Sequence, residues 1–157
     1  GNNIVKRMAN LQFTMNSTLE PEKLMGFITD FESYQSFFPD QIKEVKILDR
    51  QNGEIFTEET IVFSTLIKRP FIQKSRHKII SDKELFTQIL EGPAKNSTVR
   101  VTCIKNEQGS QIEFDAELKL SFKAKFLSPL IKKFYKRYLT AIIFKITERH
   151  LKLQESN

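Results

Sequence analysis

The chain has 157 residues and a formal net charge of +6, from 25 basic and 19 acidic side chains. A chain of this length can bury a core without disulfides or metals, and we predict a single domain over residues 1–157. Cys103 is the only cysteine and there are two histidines, which argues against a disulfide framework and predicts no metal site. No apolar run approaches ~18 residues and no signal-peptide core is present, so we predict a cytoplasmic protein.

The first predicted elements are a strand and two short helices. Residues 7–15 form a half-buried strand, because every second position is apolar: Ala9, Leu11, Phe13 and Met15. Pro21 between two glutamates is typical of a first helical turn and predicts a helix that ends near Asp30. The segment Ser33–Pro39 can hold one more helical turn before the proline stops it.

Turn residues divide the middle of the chain into six strands. Asn52-Gly53 favours a tight hairpin turn, since both residues tolerate positive φ. Further turns are predicted at residues 68–70, 81–83, 92–93 and 106–109. The six strands cover residues 42–50, 54–66, 71–80, 84–91, 97–105 and 110–123, and short loops make neighbours antiparallel.

The turns also predict which side chains face inward. A two-residue loop at Asn52-Gly53 pairs Val45 with Thr60, and a tight turn at residues 67–70 pairs Thr60 with His77. Both registers predict one inward face, made of Val45, Ile47, Phe56, Glu58, Thr60, Val62, Ser64, Leu66, Phe71, Gln73, Ser75, His77 and Ile79.

A long helix is predicted for Phe126–Leu153. Its apolar residues recur three and four apart, at Leu127, Leu130, Ile131, Phe134, Tyr138, Ile142 and Ile146. At ~1.5 Å per residue it reaches on the order of 40 Å, so a wide surface must cover it. The alternating residues of the last strand provide part of that surface: Ile112, Phe114, Ala116, Leu118, Leu120 and Phe122. The helix carries seven basic residues and one acid, which leaves 18 of each elsewhere.

The order of these elements resembles the helix-grip fold of the SRPBCC superfamily, which includes START lipid-transfer domains, birch-pollen allergen proteins and polyketide cyclases. Asp30–Pro39 resembles the D-x-x-x-Y-x-x-F-x-P pattern of the coenzyme-Q-binding and polyketide cyclase/dehydrase branch. Gly92-Pro93 and Phe126–Leu130 also match that branch in position, although its usual tryptophan is absent. The resemblance implies an α+β fold, in which a seven-stranded curved antiparallel sheet wraps around the C-terminal helix after two short helices.

The resemblance further implies a cavity between sheet and helix that binds a hydrophobic small molecule, such as a lipid, an isoprenoid or a polyketide-like compound. The 14 phenylalanines suit an apolar lining. We predict no cofactor, and we expect these residues to contact the ligand: Phe56, Thr60, Val62, Phe71, Gln73, Ser75, His77, Gln88, Phe114, Leu118, Phe134, Tyr138 and Ile142.

Two alternative functions stay open. In the first, the protein is a cyclase or dehydratase with His77 and Glu58 as acid and base, although the same two residues could simply pair at the cavity rim. In the second, the basic helix face binds an anionic surface, either a membrane or RNA on a ribosome, through Lys132, Lys133, Lys136 and Arg137. A lysine-rich helix can also serve solubility alone.

Overall fold

The computed structural model describes residues 8–63, 67–119 and 128–155. Seven strands and three α-helices, with one short 3-10 turn, occur in the order β1 (Met8–Ser17), α1 (Pro21–Ile28), 3-10 turn (Phe31–Ser33), α2 (Tyr34–Phe37), β2 (Ile42–Gln51), β3 (Glu54–Phe63), β4 (Ile67–Ser81), β5 (Glu84–Glu91), β6 (Thr98–Asn106), β7 (Gly109–Lys119) and α3 (Ser128–Glu155). All strands form one antiparallel sheet in the order β1-β7-β6-β5-β4-β3-β2. The predicted α+β helix-grip architecture is confirmed.

The core lies between the inner face of this sheet and the helices. In β7, Ile112, Phe114, Ala116 and Leu118 are buried and the residues between them are polar, as the alternation predicts. Ile142, Ile143 and Ile146 of α3 are also buried. The side chains of Phe134 and Tyr138, together with residues 120–127, lie outside the described part of the chain.

The first hairpin turn forms as predicted. Asn52 has φ +43° and Gly53 has φ +79°, and the flanking pair is Gln51 with Glu54. The turn predicted at residues 68–70 is wrong, because β4 already begins at Ile67. Pro70 is tolerated within this strand since the ladder to β3 shifts register between Phe71 and Ile67, and proline is compatible with such irregular pairing.

The inward face predicted for β3 is also wrong by one residue. Asp49 pairs with Phe56, but Ile47 pairs with Thr57, so Leu48 is an extra residue in β2. Such a bulge reverses which side chains of the facing strand share the inner side. Consequently Ile55, Thr57, Glu59 and Ile61 are buried, whereas the opposite face carries the predicted inward residues Phe56, Glu58, Thr60 and Val62.

On β4 the predicted parity is correct. Gln73, Ser75 and His77 are buried. Ile79, at the end of the same face, is 37% exposed. Ser64 and Leu66 lie outside the described residues.

Candidate functional site

A cavity of about 100 Å³ lies between the inner face of the sheet and α3. Ile28 of α1, Phe31 of the 3-10 turn and Tyr34 of α2 form its third wall. The two phenylalanines among its described lining residues are Phe31 and Phe114, and branched aliphatic side chains from β5, β6, β7 and α3 supply most of the remaining surface. The lining is therefore aliphatic more than aromatic, unlike the phenylalanine-rich lining that the composition suggested.

The polar lining residues are concentrated on three adjacent strands. Glu59 lies on β3, Gln73, Ser75 and His77 on β4, and Thr87 on β5. The lining residues of β6, β7 and α3 are apolar: Val99, Val101, Phe114, Ala116, Leu118, Leu139, Ile142 and Ile143. The polar side chains of the cavity are thus gathered on β3, β4 and β5 and the rest of the lining is mostly apolar, an arrangement that suits a ligand with a polar group on an apolar body.

The polar wall is a connected hydrogen-bond chain. Thr57 Oγ1 donates to Glu59 Oε1 over 2.6 Å, and Ser75 Oγ donates to Glu59 Oε2 over 3.4 Å. His77 Nε2 lies 2.9 Å from Thr57 Oγ1, and its Nδ1 lies 2.7 Å from Thr87 Oγ1. Because the single Thr57 proton goes to the Glu59 carboxylate, Thr57 accepts a hydrogen bond from Nε2–H of His77, and Nδ1 pairs with the Thr87 hydroxyl.

Phe31 and Tyr34 cover the imidazole side of this chain. The Phe31 ring stacks on the His77 ring with centroids 3.8 Å apart and an interplanar angle of 19°, and Tyr34 packs edge-on against Phe31 at 5.6 Å. The Tyr34 hydroxyl donates to the Ile28 carbonyl oxygen. Burial raises the pKa of Tyr34, and the nearby carboxylates of Glu59 and Asp30 add to that rise, so the phenol stays protonated.

Six of the predicted ligand contacts line the cavity. They are Gln73, Ser75, His77, Phe114, Leu118 and Ile142, and their role as ligand contacts stays a prediction. Phe71 lies on the inner face of β4 beyond the described cavity lining. The side chains of Phe134 and Tyr138 lie outside the described residues.

Other predicted site residues face away from the cavity. Phe56, Thr60 and Val62 lie on the outer face of β3 because of the bulge at Leu48. Gln88 is on the outer face of β5, where it borders a groove with Arg76, Phe86 and Arg100. These four positions are corrections to the predicted contact set.

Glu58 is likewise misplaced as a partner of His77. It lies on the outer face opposite Lys74, while the next residue, Glu59, points inward with Oε1 3.9 Å from His77 Nε2. Sequence reasoning missed most of the aliphatic lining and also several polar and aromatic residues of the site, namely Glu59, Thr57, Thr87, Phe31 and Tyr34. For the last two a signal did exist, because they lie within the Asp30–Pro39 pattern that served only as a fold marker.

The described residues give no indication of a metal centre or a membrane span. In the part of the chain that the structure describes, no three His, Cys, Asp or Glu side chains are close enough to hold a metal ion. Nor does any described helix have the length and hydropathy to cross a membrane. Cys103 is 1% exposed, and burial raises the pKa of its thiol to about 11, so it is a protonated core residue.

Residues 18–144 match the family described as polyketide cyclase / dehydrase and lipid transport. The chain belongs to this family. The match begins just after β1 and ends within α3, so it includes every described residue that lines the cavity. A comparison of the chain with curated proteins finds no match.

Solved structures of several proteins share the fold. The Zhui aromatase/cyclase from Streptomyces sp. R1128 aligns with a TM-score of 0.75 at 13% identity, over 92% of this chain and 96% of that one. A START superfamily protein from Mycobacterium smegmatis aligns at 0.73 and 16% identity, over 92% and 98%. Major latex-like protein 151 from Panax ginseng aligns at 0.69 and 10% identity, over 91% and 97%. The predicted place in the SRPBCC superfamily is confirmed at the level of fold.

Proposed function

We propose that the protein binds or carries a hydrophobic small molecule, a lipid, an isoprenoid or a polyketide-like compound, in the cavity between the sheet and α3. The observation that carries the proposal is the division of the cavity into an aliphatic wall and a hydrogen-bonded polar wall. Apolar pockets with a few converging polar groups are the usual sites of small-molecule binding. The description of the family, polyketide cyclase / dehydrase and lipid transport, supports a hydrophobic ligand of this kind.

The volume of the cavity limits what fits without a change of shape. It measures about 100 Å³. Sites for drug-sized ligands occupy about 300–1,000 Å³, and an apolar cavity of about 150 Å³ already admits benzene. The cavity is smaller than that benzene site, so a ligand with a ring or a longer chain requires α3 or the α1–α2 segment to move outward.

Mass spectrometry under non-denaturing conditions tests the proposal directly. We expect the purified protein to carry a hydrophobic molecule, or to acquire one from an added lipid extract. Ala116→Val should abolish this binding, because it adds two carbon atoms to a side chain that lines the cavity and is 1% exposed. Thr60→Val, on the outer face, is the matched control. A protein that never takes up a ligand, or an Ala116→Val variant that binds normally, contradicts the proposal.

A cyclase or dehydratase is the second candidate, and the chain from Glu59 through Thr57 to His77 specifically favours it. A carboxylate and an imidazole joined by a hydroxyl can take and return protons at the cavity wall. Glu59 here replaces the predicted Glu58. In this reaction a base removes the α-proton of a β-hydroxy ketone, and an acid donates a proton to the hydroxyl, whose C–O bond breaks so that water leaves and an enone forms.

The appearance of enone absorbance from a cyclic β-hydroxy ketone measures this activity. We expect Glu59→Gln to slow the reaction by about a hundredfold or more, since general base catalysis contributes that much. Glu58→Gln, which changes the neighbouring outward residue in the same way, should leave the rate unchanged. An absence of turnover in the unmodified protein, across a panel of such ketones, rules against an enzyme.

We also propose that the basic face of α3 contacts an anionic surface through Lys132, Lys133, Lys136 and Arg137. Lys133, Lys136 and Arg137 are exposed, and so is Phe144 at 63%, two turns beyond Arg137. An exposed aromatic side chain beside clustered cations favours a lipid surface over a purely polar one.

Vesicle co-sedimentation tests this contact. We expect binding to phosphatidylglycerol vesicles, weak binding to phosphatidylcholine vesicles, and loss of binding as salt rises. Lys133→Glu should weaken it, whereas Lys105→Glu on β6 is a control that reverses an exposed charge elsewhere. Binding to single-stranded RNA without binding to vesicles would instead assign the face to nucleic acid.

We propose a cytoplasmic location as well. The lone Cys103 is a buried free thiol, and free thiols are typical of reducing compartments.

A further inference from the structure

The most distinctive group in the cavity is the carboxylate of Glu59. The residue is 9% exposed, and both of its oxygens accept hydrogen bonds from hydroxyl groups. Among the described lining residues of the cavity there is no lysine and no arginine. The nearest group that could carry positive charge is His77, whose Nε2 lies 3.9 Å away and already donates to Thr57. Glu59 therefore gives the polar wall a negatively charged acceptor of hydrogen bonds.

The two oxygens of this carboxylate are not held equally. Oε1 receives a bond of 2.6 Å from Thr57, whereas the contact of Oε2 with Ser75 is 3.4 Å, at the long limit for a hydroxyl donor. A carboxylate oxygen can accept two hydrogen bonds. Oε2 is thus the atom with the most capacity left for a donor in the cavity.

We propose that Glu59 selects ligands whose polar group donates a hydrogen bond, an alcohol, phenol or amide on an apolar body, and that it excludes carboxylates such as free fatty acids. This inference rests on the proposed binding function of the same cavity. A hydroxyl or amide N–H of the ligand donates a second hydrogen bond to Oε2 of Glu59. A ligand carboxylate instead brings a second negative charge beside Glu59 in a space with little water, where like charges repel strongly.

Phe31 and Ser75 strengthen this selectivity by their positions. Ser75 is 1% exposed and keeps its hydroxyl on Oε2, so it cannot turn away to donate to an incoming acid without leaving Glu59. Phe31 covers one face of His77, and the two ring nitrogens are already paired with Thr57 and Thr87, so a ligand anion finds no free N–H on the imidazole. The donors of Thr57, Ser75 and His77 are therefore engaged within the wall, whereas Oε2 of Glu59 can still accept a hydrogen bond.

Binding of four single-ring probes tests the inference. They are ethylbenzene, para-ethylphenol, para-ethylbenzamide and para-ethylbenzoate, and the last two have nearly the same shape. We expect NMR titration at neutral pH to show the phenol and the amide binding at least about tenfold more tightly than the benzoate, as expected for a hydrogen bond to a charged group. Glu59→Gln removes the charge with little change in shape and should reduce the preference for the amide over the benzoate at least about threefold, while the desolvation cost of the benzoate remains. Glu58→Gln should behave as the unmodified protein does.

The outcomes separate this inference from the function on which it rests. If ethylbenzene and the other probes bind but the benzoate equals or exceeds the amide, the selectivity is overturned and the binding function stands. If Glu59→Gln folds, as its unfolding temperature will show, and keeps the preference, Glu59 is not its source and the inference is overturned. If no probe binds, the selectivity is overturned, and the mass-spectrometric experiment decides whether the binding function stands. The comparison of the amide with the benzoate in the unmodified protein stands even if the Glu59→Gln variant does not fold.

Discussion

Thr57→Val is the sharpest test of the polar wall, because it removes one hydroxyl and conserves the shape of the side chain. Thr57 is 0% exposed, and its Oγ1 bridges Glu59 Oε1 at 2.6 Å and His77 Nε2 at 2.9 Å. The substitution leaves two buried polar atoms without this partner. A buried polar atom that loses its hydrogen-bond partner lowers the free energy of unfolding by about 1–3 kcal/mol, and a charged group lies at the upper end of this range.

The contacts that remain set the expected size of the effect. Glu59 keeps Ser75 and His77 keeps Thr87. We therefore expect the free energy of unfolding to fall by about 2–5 kcal/mol, and the unfolding temperature to fall by about 2–4 °C for each kcal/mol.

Urea unfolding followed by circular dichroism measures the loss. Thr60→Val is the matched control, since Thr60 lies three residues further on the outer face of the same strand, opposite Ile72, and should change stability by no more than about 0.5 kcal/mol. Combining Thr57→Val with His77→Phe should cost less than the sum of the two separate losses, since the two residues share a bond. If Thr57→Val is as stable as the control, the hydrogen-bond chain does not exist as described.

Three further predictions concern the remainder of the fold. Gly109→Ala should lower the free energy of unfolding in urea by more than about 1 kcal/mol, because Gly109 has φ +142° and a Cβ there would lie 2.5 Å from the Thr18 carbonyl carbon. The control is Gly26→Ala in α1, which has open space around it and should be neutral or stabilising. Equal effects of the two substitutions would refute the argument. Cys103 should resist Ellman's reagent at pH 8 until urea unfolds the protein, and rapid labelling of the folded protein would disprove its burial. The free energy of unfolding should fall as pH rises from 9.0 to about 11, because in this range the thiol ionises in the unfolded protein but not in the folded one. Tyr34→Phe should cost about 1–2 kcal/mol through the lost bond to the backbone of α1, and an unchanged unfolding midpoint would show that this bond contributes nothing.

The placement of Glu59 bears directly on how the cavity can be used. A carboxylate bonded to a threonine and held close to an imidazole is equipped either to recognise a donor or to move a proton. The probe titration measures recognition and the enone assay measures proton transfer. The two candidate functions can therefore be separated with the same pair of variants, Glu59→Gln and Glu58→Gln.

Local patterns in the sequence determined most of the architecture. The alternation of apolar and polar residues in β7 predicts a half-buried strand, because successive side chains of a strand point to opposite faces of the sheet. The Asn52-Gly53 turn follows from the tolerance of those two residues for positive φ. The spacing of apolar residues predicts α3, whose observed bounds, Ser128–Glu155, differ by two residues at each end from the predicted Phe126–Leu153. These features depend on interactions within one element or between adjacent ones.

The tertiary structure alone decided which glutamate enters the cavity. Glu58 and Glu59 are chemically identical neighbours, so no property of either residue distinguishes them in the sequence. The distinction arises from Leu48, an extra residue in β2, and from a strand reversal that occurs before Ile67. Because side chains in a strand alternate between faces, each of these single irregularities changes the face of a whole strand relative to its neighbour. The contacts of Glu59 with Ser75 and His77 exist only once β3 and β4 are paired in that register.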